Sequence, residues 1–167
     1  TQDEINKVMR KATISGKFFP FLCGTSFKNK GVQPMLDAVN MYLPSPLEEK
    51  EIKGTHPETE EAETRKVEDN EALTALAFKI QTDPHVGKLT FVRVYSGKLI
   101  AGTSVYNPIT RQRERIGRIL QMHADKREEI KEITAGNIGA VIGLKGVTTG
   151  QTLCDEKRPI VVEPPKF

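Results

Sequence analysis

The chain has 167 residues, of which 37% are hydrophobic and 28% are charged, and its formal net charge is +3. This length suits one or two globular domains. No run of about 18 apolar residues occurs, so no membrane-spanning helix is predicted, and the start lacks a secretion-signal pattern. Cys23 and Cys154 are the only cysteines. Two isolated cysteines are typical of a reduced cytosolic protein, and neither has metal-ligand spacing.

The charge is distributed unevenly along the chain. Residues 1–47 carry net +3, residues 48–72 net −6 and residues 73–167 net +6. The third segment is therefore the part predicted to face a polyanion, although a modest basic excess is also compatible with an ordinary solvated surface.

Residues 1–47 are predicted to fold as α-β-α. Thr1 and Glu4 have the spacing of a capping box, and apolar residues then recur at helical spacing up to a stop at Ser15-Gly16. The apolar run Phe18 to Cys23 predicts a buried strand of a parallel sheet, and a second amphipathic helix follows from Val32. Because the chain begins at Thr1 within a predicted helix, we expect it to be a fragment of a longer protein.

Residues 48–72 contain ten acidic residues and few apolar ones. This composition is typical of a solvated, mobile connector, so the sequence predicts an acidic linker between two domains.

Residues 73–167 are predicted to be all-β. Two apolar runs, 73–80 and 89–95, flank a turn that begins at Asp83-Pro84 and places His85 at its tip. Short strands are predicted after this hairpin, at 103–106, 111–122, 130–134, 138–144, 152–153 and 160–162. Short strands with regular turns and no helical period indicate a closed barrel.

One predicted strand is rich in arginine. Arg111, Arg113 and Arg115 alternate along it, so a regular strand projects all three from one face. Guanidinium groups bind phosphate through paired donors, which makes this strand a candidate phosphate contact.

Several catalytic signatures are absent from the sequence. Gly87-Lys88 is followed by Leu89 rather than Ser or Thr, and no glycine stands at the P-loop spacing upstream. No aspartate is followed three residues later by glycine, so the Asp-x-x-Gly motif that lies beside Mg²⁺ in P-loop nucleotide hydrolases is also absent from the sequence. These 167 residues therefore hold no predicted phosphoryl-transfer site.

Two strings carry a resemblance to a known family. The string DPHVGKLTFVRVYSG resembles the opening hairpin of domain II in translational GTPases of the elongation factor G type. CGTSFKNKGVQPMLDAV with YLPSP resembles the last guanine-site loop and closing helix of that family's G domain, in the expected order. The resemblance implies a mainly β chain: a domain II β-barrel at 73–167, an acidic linker at 48–72 and the C-terminal part of the G domain at 1–47.

The resemblance also implies sites. The loop containing Gly24, Thr25, Ser26, Phe27 and Lys28 would lie against the guanine of GTP or GDP, with Thr25-Ser26 where the family has Ser-Ala. Magnesium and nucleotide are expected in the full-length parent, whereas this fragment should bind neither tightly and should not hydrolyse GTP. The expected partner of the barrel is small-subunit ribosomal RNA, and the candidate contacts are Lys88, Arg93, Arg111, Arg113 and Arg115.

The predicted function is therefore that of a cytoplasmic, monomeric fragment of a GTPase that drives ribosomal translocation of tRNA and mRNA. Two alternatives remain open at this point. The parent could be a ribosome-protection or peptide-release GTPase of the same superfamily, or the chain could be a generic RNA-binding β-barrel.

Overall fold

A computed structural model describes residues 1–46, 48, 50–124 and 126–162. The chain divides into two compact units, Thr1–Glu48 and Glu49–Phe167. None of the described helices is both long and apolar enough to cross a membrane.

The first unit contains two helices, α1 (Gln2–Ile14) and α2 (Val32–Tyr42). The predicted capping box is present: the Glu4 N–H donates to the Thr1 hydroxyl at 3.4 Å, and the terminal ammonium donates to the Glu4 carboxylate at 2.6 Å. The predicted strand at 18–23 does not form. A strand needs a hydrogen-bonded neighbour, and no described residue pairs with this run, which leaves Phe19 and Phe21 exposed.

The second unit begins with a β-hairpin where a linker was predicted. Strand β1 (Glu51–Thr55) pairs antiparallel with β2 (Ala62–Lys66). The prediction of an irregular connector is wrong because the hairpin is anchored by contacts distant in sequence. Thr55 exchanges two backbone hydrogen bonds with Val161, at 2.9 and 2.8 Å, and Arg65 is buried.

We expect this anchoring to be visible in hydrogen exchange. The amide of Thr55 should exchange slowly because it donates to the Val161 carbonyl. The amides of Glu58 and Thr59, which donate only to the ring nitrogen of His56 in an exposed turn, should exchange fast. Equal, fast exchange at all three positions, measured by NMR, would restore the linker interpretation.

The remaining strands form the barrel. They are β3 (Thr74–Asp83), β4 (Gly87–Ser96), β5 (Leu99–Ile100), β6 (Ser104–Asn107), β7 (Gln112–Arg115), β8 (Ile119–His123), β9 (Lys126–Ile130), β10 (Glu132–Ile133), β11 (Ile138–Ile142) and β12 (Thr152–Cys154). Eight of them form one antiparallel sheet in the order β7-β6-β12-β3-β4-β11-β8-β9, and β5 pairs with β10. The predicted mainly β, barrel-like architecture is confirmed.

Alternation along β4 decides which face the core occupies. Val92 and Val94 are completely buried in the main core, together with residues such as Ile116, Ile119 and Leu153. Because neighbouring side chains on a strand point to opposite faces, the odd-numbered residues of β4 lie on the other face, where Leu89 is buried in a smaller cluster with Leu120 and Ala140 and Phe91 packs against it. The main core therefore lies on the even-numbered face of β4.

The predicted long strand 111–122 is interrupted. It forms β7 and β8, separated by Ile116, Gly117 and Arg118. The final predicted strand, 160–162, is reduced to a single bridge between Val161 and Thr55.

The turn of the β3–β4 hairpin is held by Asp83. One carboxylate oxygen accepts from the N–H groups of His85 at 2.9 Å and Val86 at 3.1 Å, and the other accepts from the Arg127 guanidinium. The hydrogen bond from Arg127 and those from the backbone lower the pKa of Asp83 from 3.8 to about 2.

This shift predicts an acid-sensitive contribution to stability. Because the folded-state pKa is lowered, the stabilisation is complete above the unfolded-state pKa of 3.8 and is lost as the pH falls through about 2. Asp83→Asn should lower the free energy of unfolding at pH 7 and flatten its decline between about pH 4 and pH 2, as measured by urea titration. An equally steep decline in the variant would contradict this assignment.

Candidate nucleotide-binding loop and RNA-facing surfaces

The loop between α1 and α2 is closed by its own backbone. Thr25 and Lys30 exchange hydrogen bonds of 2.9 and 3.1 Å around a short 3-10 helix, Ser26–Lys28. Gly24 and Gly31 stand at the neck of the loop, where a Cβ on Gly31 would lie 2.8 Å from the Cys23 carbonyl oxygen. A positive φ of 78° at Gly31 adds a second reason for glycine there.

A cavity of about 350 Å³ lies beside this loop. Three of the five predicted nucleotide-binding residues, Gly24, Thr25 and Ser26, line it together with apolar side chains that include Leu22 and Met35. Phe27 and Lys28 are outside this lining, and Phe27 is fully exposed. The N–H groups of Ser26 and Phe27 have no acceptor among the described residues, so they are free to donate to a ligand oxygen.

Among the described residues, no group of three or more histidine, cysteine, aspartate or glutamate side chains could hold a metal ion. The loop therefore offers backbone hydrogen-bond donors beside a partly apolar wall, an arrangement that suits a flat base.

The arginines predicted to form one face have different environments. Arg113 and Arg115 are both exposed on β7 with Glu114 buried between them, as alternation predicts. Arg111 precedes the strand in a left-handed conformation with φ of 57°. Arg113 pairs with Glu156 at 2.6 Å, which raises the pKa of its guanidinium, whereas Arg111 and Arg115 form no ion pair with a described residue.

Lys88 makes internal contacts. Its ammonium donates to the Val147 carbonyl at 2.6 Å and to the Lys145 carbonyl at 3.3 Å. From the other side, the buried Glu114 carboxylate accepts from the N–H groups of Lys145 and Gly146 at 3.3 and 3.0 Å. Lys88 and Glu114 thus fix the β11–β12 loop, and its Lys145 side chain is exposed.

Arg93 lies against an aromatic ring. Its guanidinium carbon is 5.3 Å from the centroid of the Tyr95 ring, and the Lys79 ammonium is 5.4 Å from the centroid of Phe91. The sequence analysis did not predict the contacts of Lys79 with Phe91 or of Tyr95 with Arg93. The i, i+2 spacing of Arg93 and Tyr95 on one strand was an available signal, whereas the pairing of Lys79 with Phe91 depends on strand register.

Comparison with known proteins agrees with this architecture. A crystal structure of a protein from Thermus thermophilus superposes with a TM-score of 0.65 at 24% sequence identity, covering 95% of this chain and 21% of that protein. This likeness shows a shared fold, and the chain spans about a fifth of the length of that relative. The sequence profile of elongation factor G domain 2 matches residues 72–156, which is half of the chain and most of the barrel. The chain belongs to the elongation factor G domain 2 family.

Proposed function

We propose that this chain is part of an elongation factor G-like GTPase that drives the movement of tRNA and mRNA through the ribosome in the cytoplasm. In this proposal the barrel docks on small-subunit ribosomal RNA. The observation that carries it is the family match over residues 72–156, which lies almost wholly within the segment 73–167 that carries net +6.

The exposed cations of the barrel support an RNA partner. Arg111, Arg115 and Lys145 are exposed and form no ion pair with a described residue, so their charge is available to phosphate. Arg113 is partly neutralised by Glu156, and Lys88 is occupied by backbone carbonyls. We therefore assign phosphate contact first to Arg111 and Arg115, and support of the neighbouring loop to Lys88.

We further propose that residues 24–26, together with the backbone N–H of Phe27, form one wall of a guanine pocket in the parent GTPase. The N–H groups of Ser26 and Phe27 would donate to the base carbonyl, and the small side chains of Gly24, Thr25 and Ser26 allow the backbone to approach. GTP or GDP with magnesium would supply the phosphoryl chemistry in the parent. The residues of this chain bind and orient the base.

Because neither a P-loop nor the Asp-x-x-Gly motif occurs in these 167 residues, the purified chain should not hydrolyse GTP. Phosphate release from GTP and Mg²⁺, measured by a coupled colour assay, should equal that of buffer. GTP hydrolysis that persists through repurification and co-elutes with the protein would contradict the prediction that this chain alone does not hydrolyse GTP.

The docking proposal predicts a defined loss of affinity. Arg111→Ala combined with Arg115→Ala should weaken binding of the chain to small ribosomal subunits. It should also reduce the slope of log K against log salt by about 1.4 to 1.8, if each arginine contacts one phosphate. Arg113→Ala should have a smaller effect because Glu156 already neutralises that guanidinium.

A matched control removes two exposed cations from the other unit, Lys7→Ala with Lys11→Ala on α1. It lowers the net charge equally and should leave the slope nearly unchanged. Equal effects of the two double variants would mean that binding reflects net charge alone and would overturn the assignment to this edge of the barrel.

A further inference from the structure

Aromatic and cationic side chains lie together on strands β3 and β4, on the face of β4 opposite the main core. We define the stacking strip as Phe78, Lys79, Phe91, Arg93 and Tyr95. The Phe78 and Phe91 rings lie 6.4 Å apart, and each cation of the strip lies over a ring, at 5.3 to 5.4 Å. These contacts form two groups, Phe78 with Lys79 and Phe91, and Arg93 with Tyr95, which follow one another along β4.

On β4 the location of the strip follows from strand alternation, and on β3 a register shift between Ala77 and Lys79 interrupts the alternation at Phe78. Val92 and Val94 are in the core, so Phe91, Arg93 and Tyr95 project from the opposite face of the central strand β4. All three remain partly exposed. The neighbouring residue on β11 is Ile138, which pairs with Arg93 and is 49% exposed, so the strip has an apolar margin.

The stacking strip carries positive charge only. Strands β3, β4 and β11 contain a single acidic residue, Asp83, which is occupied by Arg127 at the hairpin turn. Lys79 and Arg93 form no ion pair with any described residue, and Lys79 is exposed. An anionic partner would supply the missing counter-charge.

We infer that the stacking strip binds unpaired nucleotides of an RNA strand, with bases stacking on its aromatic and guanidinium surfaces and phosphates meeting Lys79 and Arg93. Bases stack on aromatic rings and on guanidinium planes, and such stacking needs no particular sequence. The choice of RNA as partner rests on the proposed function. The contact itself differs from the phosphate docking assigned to Arg111 and Arg115, because it requires bases that are not paired.

The chain provides a direct spectroscopic test because it contains no tryptophan and only three tyrosines, Tyr42, Tyr95 and Tyr106. Tyr42→Phe with Tyr106→Phe leaves Tyr95 as the only tyrosine emitter. Adding a ten-nucleotide oligouridine should quench this emission saturably. An abasic ribose-phosphate chain of equal length should bind by charge and leave the emission unchanged. Equal quenching by both, or by neither, would overturn the inference.

Substitution gives an independent measurement of affinity. Tyr95→Leu should weaken oligouridine binding about fivefold or more, as expected for the loss of one stacked base, without changing the salt slope. Arg93→Ala should reduce both affinity and slope. Phe21→Leu is the matched control, since Phe21 is 97% exposed in the other unit, and it should bind like the original chain. Circular dichroism establishes whether each variant is folded. If Tyr95→Leu does not fold, the emission test still decides, because it leaves every residue of the stacking strip unsubstituted.

The outcomes separate the two proposals. Loss of ribosomal-subunit binding together with retained oligouridine quenching would contradict subunit docking and leave the strip intact. Subunit binding that survives while oligouridine neither binds nor quenches would overturn the stacking strip alone and point to a protein contact at this face. Failure of both would contradict RNA as the partner.

Discussion

Gly117→Ala is expected to destabilise the barrel by about 3 kcal/mol, because a Cβ at this position would lie 2.3 Å from the carbonyl oxygen of Ile142. The clashing atom belongs to the backbone, so it cannot move away by a change of side-chain rotamer. The backbone at Gly117 and Arg118 is held close to Ile142 by a hydrogen bond, in which the Ile142 N–H donates to the Arg118 carbonyl at 2.9 Å. The free energy of unfolding is measured by urea titration followed by circular dichroism.

Gly102→Ala is the control for this substitution. A Cβ at position 102 would meet nothing within 4 Å, so only the positive φ of 80° opposes alanine. A left-handed residue costs about 1 kcal/mol, so this variant should be clearly more stable than Gly117→Ala. Equal losses in the two variants would show that steric conflict with Ile142 does not determine the effect.

Leu153→Ala should destabilise the barrel by about 2 to 5 kcal/mol, because Leu153 is completely buried in the main core and its loss leaves a cavity. The neighbouring Cys154 supplies the measurement. It is fully buried, and burial raises the pKa of its thiol, so both inaccessibility and protonation slow its reaction with a disulfide reagent.

In a Cys23→Ser background, reaction of Cys154 reports opening of the barrel. Leu153→Ala should raise the labelling rate about 30-fold or more, as about 2 kcal/mol or more of lost stability predicts when opening is in rapid equilibrium. Leu36→Ala provides the matched control, since Leu36 is 55% exposed on α2 in the other unit. A comparable rate increase in both variants would contradict the placement of Leu153 in the core.

The barrel strands were predictable because their signals are local. Alternation in 89–95 and the Asp83-Pro84 turn define the β3–β4 hairpin without reference to the rest of the chain. The interruption of the strand 111–122 was not predicted; it coincides with the close approach of Gly117 to Ile142, a residue distant in the sequence. Composition alone also gave the wrong result for 48–72, since the hairpin is anchored by Val161.

The candidate sites show the same division between local and distant contacts. Residue type suggested Lys88 as an RNA contact, but its ammonium bonds to the Val147 carbonyl, a partner supplied by the barrel fold. Alternation placed Arg113 and Arg115 on one exposed face. It gave no information on the ion pair between Arg113 and the Glu156 carboxylate. Sequence reasoning therefore found exposed cations more reliably than it found which of them are free.

The most direct test of the account is a comparison of the two ribosomal subunits as partners. Cys23 is exposed in the first unit and Cys154 is buried in the second, so a fluorescent dye can be attached at Cys23 alone. Fluorescence anisotropy should show binding to purified small subunits that weakens steeply as salt is raised, and much weaker binding to large subunits. Equal affinity for both subunits, or binding to small subunits that is independent of salt, would contradict docking of this barrel on small-subunit RNA.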